Sequence, residues 1–161
     1  MECACFELVI PLKAEYVSVA RLTVSGVANR AGFDFDSIED IKVALAEVCN
    51  RLIRSRSARG DALADGNAPK SQDASEEHRC RMQFLLSEQA LTIHFFVDEE
   101  EAASFLGGSD ESDEFSKLGL SLLNLLMDEF EVNRDEGCVI SMKKYLGVCE
   151  SGVSGSMDPV Q

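Results

Sequence analysis

The stretch EYVSVARLTVSGVANRAGFDFDSIEDIKVALAEVCN, residues 15–50, decides the fold of this chain. Apolar residues recur in it every three or four positions, the spacing that places them on one face of an α-helix. Gly32 is a natural helix stop, and Asp36 and Glu39 have capping-box spacing, with Asp36 in the N-cap position. We therefore expect two consecutive helices with one apolar stripe each: Val17, Ala20, Val24, Val27 and Ala31, then Ile38, Ile41, Leu45, Val48 and Leu52.

Strand patterns flank this pair of helices, of which the second is expected to end near Arg54. Alternating apolar residues predict β-strands, and a further helical repeat predicts a third helix. The resulting order, β-α-α-β-β-α-β-β, predicts an α+β fold, a two-layer α/β sandwich with the helices on one face of a mixed, mostly antiparallel sheet. The expected elements are an edge strand over 3–12, a hairpin over 82–97, a helix over 118–126 and strands over 130–133 and 138–145.

Three stretches lack such periodicity. Residues 57–79 are rich in Gly, Ala, Ser, Asp and Asn, and they predict a mobile insert. Residues 98–117 are very acidic and predict an irregular segment, and residues 147–161 predict a loose tail. For a chain of 161 residues, the expectation is one domain over residues 1–146.

The charge balance limits the partners of the chain. Fifteen Lys and Arg residues against 29 Asp and Glu residues give a net charge of −14. A field of that sign repels nucleic acid and anionic lipid, so we expect neither as a partner. The negative charge favours a basic protein partner; the alternative is that it only keeps the protein soluble. The apolar runs are too short for a membrane span, and the N-terminus lacks the pattern of a secretory signal, so we expect a cytoplasmic protein.

The cysteine pattern gives no sign of a metal site. The six cysteines include no C-x-x-C pair, and the two histidines lie far from any paired cysteines. We therefore expect no zinc site and reduced thiols. The sequence also has no P-loop, G-x-G-x-x-G, nucleophile-elbow or EF-hand pattern.

Three stretches resemble one bacterial family. Residues 15–50, together with LGLSLLNLLMDEFEV at 118–132 and GCVISMKKYL at 137–146, are similar to the RsbW-type anti-sigma factors. These are serine-protein kinases of the GHKL (Bergerat-fold) ATPase superfamily. The resemblance spans roughly residues 9–146 and implies the same fold as the element order. It also implies a dimeric protein that holds a sigma factor inactive and phosphorylates an anti-anti-sigma (STAS-domain) protein with Mg-ATP.

The first ATP motif of that family falls on the second expected helix. The resemblance makes Glu47 the general base and places an Mg²⁺-ligating Asn four residues later, where this chain has Arg51. A guanidinium is always charged and offers no lone pair to a metal. It is expected to pair with Glu47 at helical spacing instead. Asn50 lies about 100° around the helix, so it is a metal ligand only if the helix shifts or bulges.

The second motif follows a strand. The resemblance makes Asp98 the acceptor of the adenine amino group and places a Gly where this chain has Glu100. The alternative for Asp98 is a solvated acid in a loop.

The third motif is a Gly-rich turn that wraps the phosphates. It falls on Ser116, Lys117 and Gly119, of which only the last keeps a glycine. Ser116 is alternatively a helix N-cap, and Lys117 is either a phosphate contact or a solvated cation.

The acidic segment 98–117 corresponds to the ATP lid of the family. Eight acidic residues and no basic residue lie between positions 98 and 114, and like charges near a triphosphate repel it. The alternative is a flexible acidic lid held away from the site. Two functions follow: an anti-sigma-like binding module with an impaired ATP site, or an active serine-protein kinase with an unusual site.

Overall fold

Five strands and four helices form the part of the chain that the computed structural model describes, which is residues 3–61, 79–107, 114–135, 137 and 139–147. In chain order these elements are β1 (Ala4–Pro11), α1 (Ala14–Ala31), α2 (Phe35–Asp61), β2 (Arg79–Leu86), β3 (Ala90–Phe96), α3 (Glu99–Leu106), α4 (Glu114–Leu126), β4 (Glu129–Asn133) and β5 (Val139–Tyr145).

The strands form one sheet in the order β1-β2-β3-β5-β4, so that β1 is an edge strand as predicted. All four pairings between these strands are antiparallel. The expected mixed sheet is therefore wrong in that detail, because β5 turns back from β4 and runs antiparallel to β3 as well. The predicted hairpin is confirmed, with Phe84 opposite Ile93 and Met82 opposite Phe95.

The core lies between one face of this sheet and helices α1 and α2. Alternate strand residues point into it, since successive side chains of a strand face opposite ways. The predicted helical stripes point into it too, although Ala28 is buried more completely than Ala31. The residues fully buried here include Ala20, Val24, Ile41, Leu45, Val48, Leu52, Met82, Phe84, Ile93, Phe95, Ile140 and Met142. The predicted two-layer α+β sandwich is confirmed.

The boundaries of α1 and α2 follow from local backbone chemistry. Gly32 ends α1 with φ +92°, the left-handed conformation that favours glycine. The predicted N-cap at Asp36 is wrong: α2 begins at Phe35, and Asp34 Oδ1 accepts the Ser37 N–H at 2.7 Å. This hydrogen bond and a second one from Ser37 Oγ to Asp34 Oδ2 at 3.2 Å lower the pKa of Asp34. Asp36 lies in the first turn, where its charge suits the helix dipole.

Two helices lie in the described part of the second half of the chain, where one was expected. Residues 98–117 are not an irregular segment throughout, because α3 occupies Glu99–Leu106 and α4 already begins at Glu114. Helix α2 likewise runs to Asp61 and takes in the start of the stretch predicted as a mobile insert. The rest of that insert and the predicted tail after residue 147 lie outside the described residues.

Candidate functional site

The site is built where α4 approaches α2 at Gly119. This glycine is buried, and a Cβ atom placed on it would lie 2.5 Å from Glu47 Oε1 and 2.8 Å from Arg51 Nη1. Such distances are shorter than real Cβ contacts, so only a glycine lets α4 pack this closely without moving both side chains. Glu47 and Arg51 of the first motif and Gly119 of the third motif therefore lie together.

Arg51 connects three helices from its position on α2. The residue is only 7% exposed, and its Nη2 donates a hydrogen bond to the Phe105 carbonyl on α3 at 2.8 Å. The guanidinium carbon also lies 4.9 Å from the centroid of the Phe105 ring, within the range of a cation–π contact. With Gly119 of α4 on its other side, this side chain fills the space between α2, α3 and α4.

Glu47 faces two guanidinium groups of its own helix. Its Oε1 lies 4.0 Å from Arg51 Nη1 and 3.5 Å from Arg54 Nη2. The predicted pairing of Glu47 with Arg51 at helical spacing is confirmed. Arg54 is the more exposed partner, with 66% of its side chain accessible, so the buried contact is the one with Arg51.

A second cluster joins the other end of α3 to α2. Asp98 Oδ1 accepts the Glu101 N–H at 2.7 Å, and Glu101 Oε2 accepts the Asp98 N–H at 2.9 Å, which makes a reciprocal capping box. Glu101 is 1% exposed and forms an ion pair with Arg56 Nε. The residues predicted from the sequence did not include Glu101, Arg56 or Phe105. The D-x-x-E spacing at 98–101 was the signal that could have found the first.

A family model for the histidine kinase-like ATPase domain matches residues 10–144. The chain belongs to this family. Curated relatives place it with the RsbW-type members, so the resemblance inferred from the sequence is confirmed. Serine-protein kinase RsbW of Halalkalibacterium halodurans is 36% identical over 141 residues, which cover 87% of this chain and 82% of that protein. The proteins of the same name from Bacillus cereus and Bacillus mycoides are 34% and 32% identical, with 87% of this chain and 84% of each relative covered.

The first motif implied by the RsbW-type resemblance lies on α2. The resemblance places the base at Glu47 and the metal-ligating Asn at Arg51, which here points into the space between the helices. Asn50 is exposed, and α2 is a continuous α-helix around it. The bulge that would bring Asn50 toward Glu47 is absent from this described stretch of helix.

The second RsbW-type motif is absorbed into α3. Asp98 lies directly before that helix as its N-cap and is exposed, which agrees with a solvated acid. The capping box explains why a helix starts here, because it satisfies N–H groups that a helix start leaves without partners. Glu100, at the position of the motif's glycine, lies in the first turn of α3 and is exposed.

The third RsbW-type motif lies inside α4. Because α4 begins at Glu114, Ser116 belongs to its first turn, and the interpretation of Ser116 as the N-cap is wrong. Lys117 is exposed on the same helix. Gly119 of this motif lies against the Glu47 carboxylate.

The described cysteines do not add a site. Cys49 and Cys80 are free and buried, and burial raises the pKa of the Cys80 thiol to about 12 and that of Cys49 further. Both are therefore protonated thiols at neutral pH.

Within the described ranges, no group of three His, Cys, Asp or Glu side chains is placed to hold a metal ion. None of the helices seen there is both long and apolar enough to traverse a bilayer.

Proposed function

We propose that this chain is an RsbW-type regulator that acts by binding a sigma factor and an anti-anti-sigma (STAS-domain) protein, with an impaired Mg-ATP site. The observation that carries the proposal is Arg51, whose buried guanidinium lies between Glu47, Phe105 and Gly119. The proposal extends to a cytoplasmic homodimer in which residues 1–146 form one domain.

The chemistry of Arg51 opposes a divalent cation at this position. A guanidinium donates hydrogen bonds only, so it cannot replace the oxygen ligand of an Asn. Two like unit charges about 4 Å apart repel by about 4 kcal/mol at an effective dielectric constant of 20. The Arg51 contacts with the Phe105 carbonyl and ring would also have to break before that side chain could leave. These residues do not fit Mg²⁺.

The surroundings of Glu47 and α3 support the same conclusion. Glu47 already faces two guanidinium groups, which compete with a substrate hydroxyl for its oxygens. The first turn of α3 exposes Glu99 and Glu100 side by side, and these like charges repel a triphosphate. Phosphotransfer would therefore require this chain to overcome an internal cation at the metal position and these anions near the nucleotide.

Binding of proteins does not depend on this chemistry. A net charge of −14 would speed the encounter with a basic surface and disfavour acidic competitors. A sigma factor fits as a partner because the resemblance to the RsbW-type anti-sigma factors implies one. Without phosphotransfer, the chain would act as a constitutive inhibitor or as a regulatory decoy.

A titration with Mg-ATP tests the impaired site. A ligand at 100 times its dissociation constant stabilises a protein by about 2.7 kcal/mol, so an intact site would raise the melting temperature clearly. We expect no rise for the natural chain up to millimolar Mg-ATP. A clear rise, together with transfer of the γ-phosphate to a serine of the STAS partner, would establish the active kinase instead.

A double variant tests whether Arg51 and Glu100 prevent the binding of Mg-ATP. Arg51→Asn restores an amide at the metal position and Glu100→Gly restores the glycine of the second motif. We expect Mg-ATP to stabilise this double variant more than the natural chain, as followed by the same thermal titration. Lys42→Asn with Glu99→Gly is the matched control, because it removes a cation from α2 and an acid from α3 at other positions. An equal response of both double variants would count against Arg51 and Glu100 as the cause.

Co-purification of the tagged full chain from its native cell tests the partner. We expect a sigma factor in the complex, with its retention unchanged by Mg-ATP. Release of that sigma factor by Mg-ATP would contradict the impaired site, and absence of any sigma factor would contradict the proposed partner.

A further inference from the structure

We infer that α3 is held in place against α2 by two arginines of the chain itself, so that its order does not depend on a bound ligand. The two arginines are Arg51 and Arg56, which we call the arginine clamp. They contact α3 near its two ends, at Phe105 and Glu101. This inference goes beyond the proposed function, because it concerns the order of one helix and not the affinity for nucleotide or partner.

The clamp at the N-terminal end of α3 rests on a buried carboxylate. Glu101 uses one oxygen for the Asp98 N–H and the other for Arg56 Nε, and it is 1% exposed. A buried carboxylate is costly unless it is both paired and hydrogen-bonded. Arg56 also donates to the Arg79 carbonyl at 3.4 Å, so this contact joins α2, α3 and the start of β2.

The clamp at the C-terminal end of α3 rests on a backbone carbonyl. The last carbonyls of a helix lack partners within the helix and carry partial negative charge. The Arg51 guanidinium satisfies the one at Phe105 at 2.8 Å and stacks on the ring of the same residue. The Phe105 ring in turn packs on Phe130 of β4, with ring centroids 5.9 Å apart.

Helix α3 is short, so its stability depends on contacts with the rest of the chain. A helix of eight residues is not stable in water by itself. Apart from Ala102 and Phe105, its buried surface is the carboxylate of Glu101, which contributes only when Arg56 compensates its charge. The arginine clamp therefore adds polar contacts to the apolar burial of Ala102 and Phe105 in holding α3 in place, and Arg51 ties that placement to the Glu47 site.

Hydrogen exchange of the full chain, followed by mass spectrometry, tests the clamp. In Arg56→Met, we expect amides of α3 to exchange at least about tenfold faster, since the buried charge of Glu101 loses its partner. Amides of β3 should keep their rates. Arg81→Met is the matched control: its pair with Glu7 has an N–O distance of 2.7 Å, but the side chains are 52% and 45% exposed, so α3 should not respond.

Arg51→Met gives the second half of the test and should speed exchange most at the C-terminal end of α3. Unchanged rates in α3 for both variants would overturn the inference, as would an equal acceleration of α3 and β3. If Arg56→Met fails to fold, Arg56→Lys decides, because it keeps the charge but loses the forked donor. It should still speed exchange in α3 relative to β3. A large slowing of α3 exchange by Mg-ATP in the natural chain would also overturn the inference, since a helix already held by the clamp has little order left to gain.

Discussion

The apolar face and the polar face of α2 are held by different kinds of contact. The apolar face carries Ile41, Leu45 and Leu52, all fully buried against the sheet. The polar face carries Glu47 and Arg51, which meet the backbone of α3 and α4. Burial of apolar surface has no directional requirement, whereas a hydrogen bond or a close approach needs one particular partner. The apolar face therefore needs apolar neighbours but no particular contact atom, whereas the polar face depends on individual partner atoms.

The largest effect is expected on the apolar face. Leu45→Ala should lower the free energy of unfolding by about 2–5 kcal/mol, because it removes buried methyl groups and leaves a cavity. Urea denaturation followed by circular dichroism measures the loss. Val43→Ala is the control on the same helix, since Val43 is 41% exposed, and it should change stability by no more than about 0.5 kcal/mol. Equal losses for the two variants would remove the distinction between the faces.

A smaller effect is expected where α4 meets the polar face. Gly119→Ala places a Cβ against the side-chain ends of Glu47 and Arg51. Because Arg51 is held at Phe105, moving these ends should offset the gain in helix propensity and leave this variant about 1–2 kcal/mol less stable than its control. Gly26→Ala is the control, because nothing lies within 4 Å of a Cβ on that exposed helical glycine. It should stabilise by about 0.5–1 kcal/mol through helix propensity.

A double variant sharpens the Gly119 result. Adding Glu47→Ala to Gly119→Ala should recover part of the loss, measured as a coupling energy in a double-mutant cycle of thermal melts. Strict additivity of the two substitutions would mean that the Glu47 side chain does not limit the approach of α4.

The smallest effect on stability is expected at the start of α2, which precedes both its apolar and its polar face. Asp34→Ala removes the acceptor for the Ser37 N–H and should lower the melting temperature, whereas Asp36→Ala should lower it less. The pKa of Asp34 is depressed in the folded chain from its ordinary value of 3.8. Its contribution is therefore present above that value and is lost as the pH falls through the lower, folded pKa. A larger effect of Asp36→Ala at neutral pH would restore the N-cap expected from the sequence.

The fold could be predicted from the sequence because its signals are local and repeated. Alternation at Met82 and Phe84 and at Ile93 and Phe95 is enough to specify a hairpin with one buried face. Gly32 is a stop signal that works through its own backbone conformation. Such signals need no knowledge of the rest of the chain.

The site could be predicted only in part. The spacing of Glu47 and Arg51 on one helix predicts their pairing, and the structure confirms it. Helix α3 was not predicted, because the acidic residues after β3 indicated a solvated, irregular segment. In the structure, Asp98 and Glu101 of this segment form a capping box that starts the helix. The partner of Glu101 lies 45 positions away at Arg56, and no local pattern reports a contact over that separation.

The sequence by itself determined the pattern of buried and exposed residues, the order of helices and strands, and membership of a family. Periodic burial of apolar side chains is a property of each segment, so it can be read along the chain. Only the tertiary structure decided that Arg51 would donate to Phe105, that Gly119 would lie against both charged residues of α2, and that Glu101 would be buried with Arg56. These contacts join atoms from distant segments, and their distances exist only once the helices have packed on the sheet.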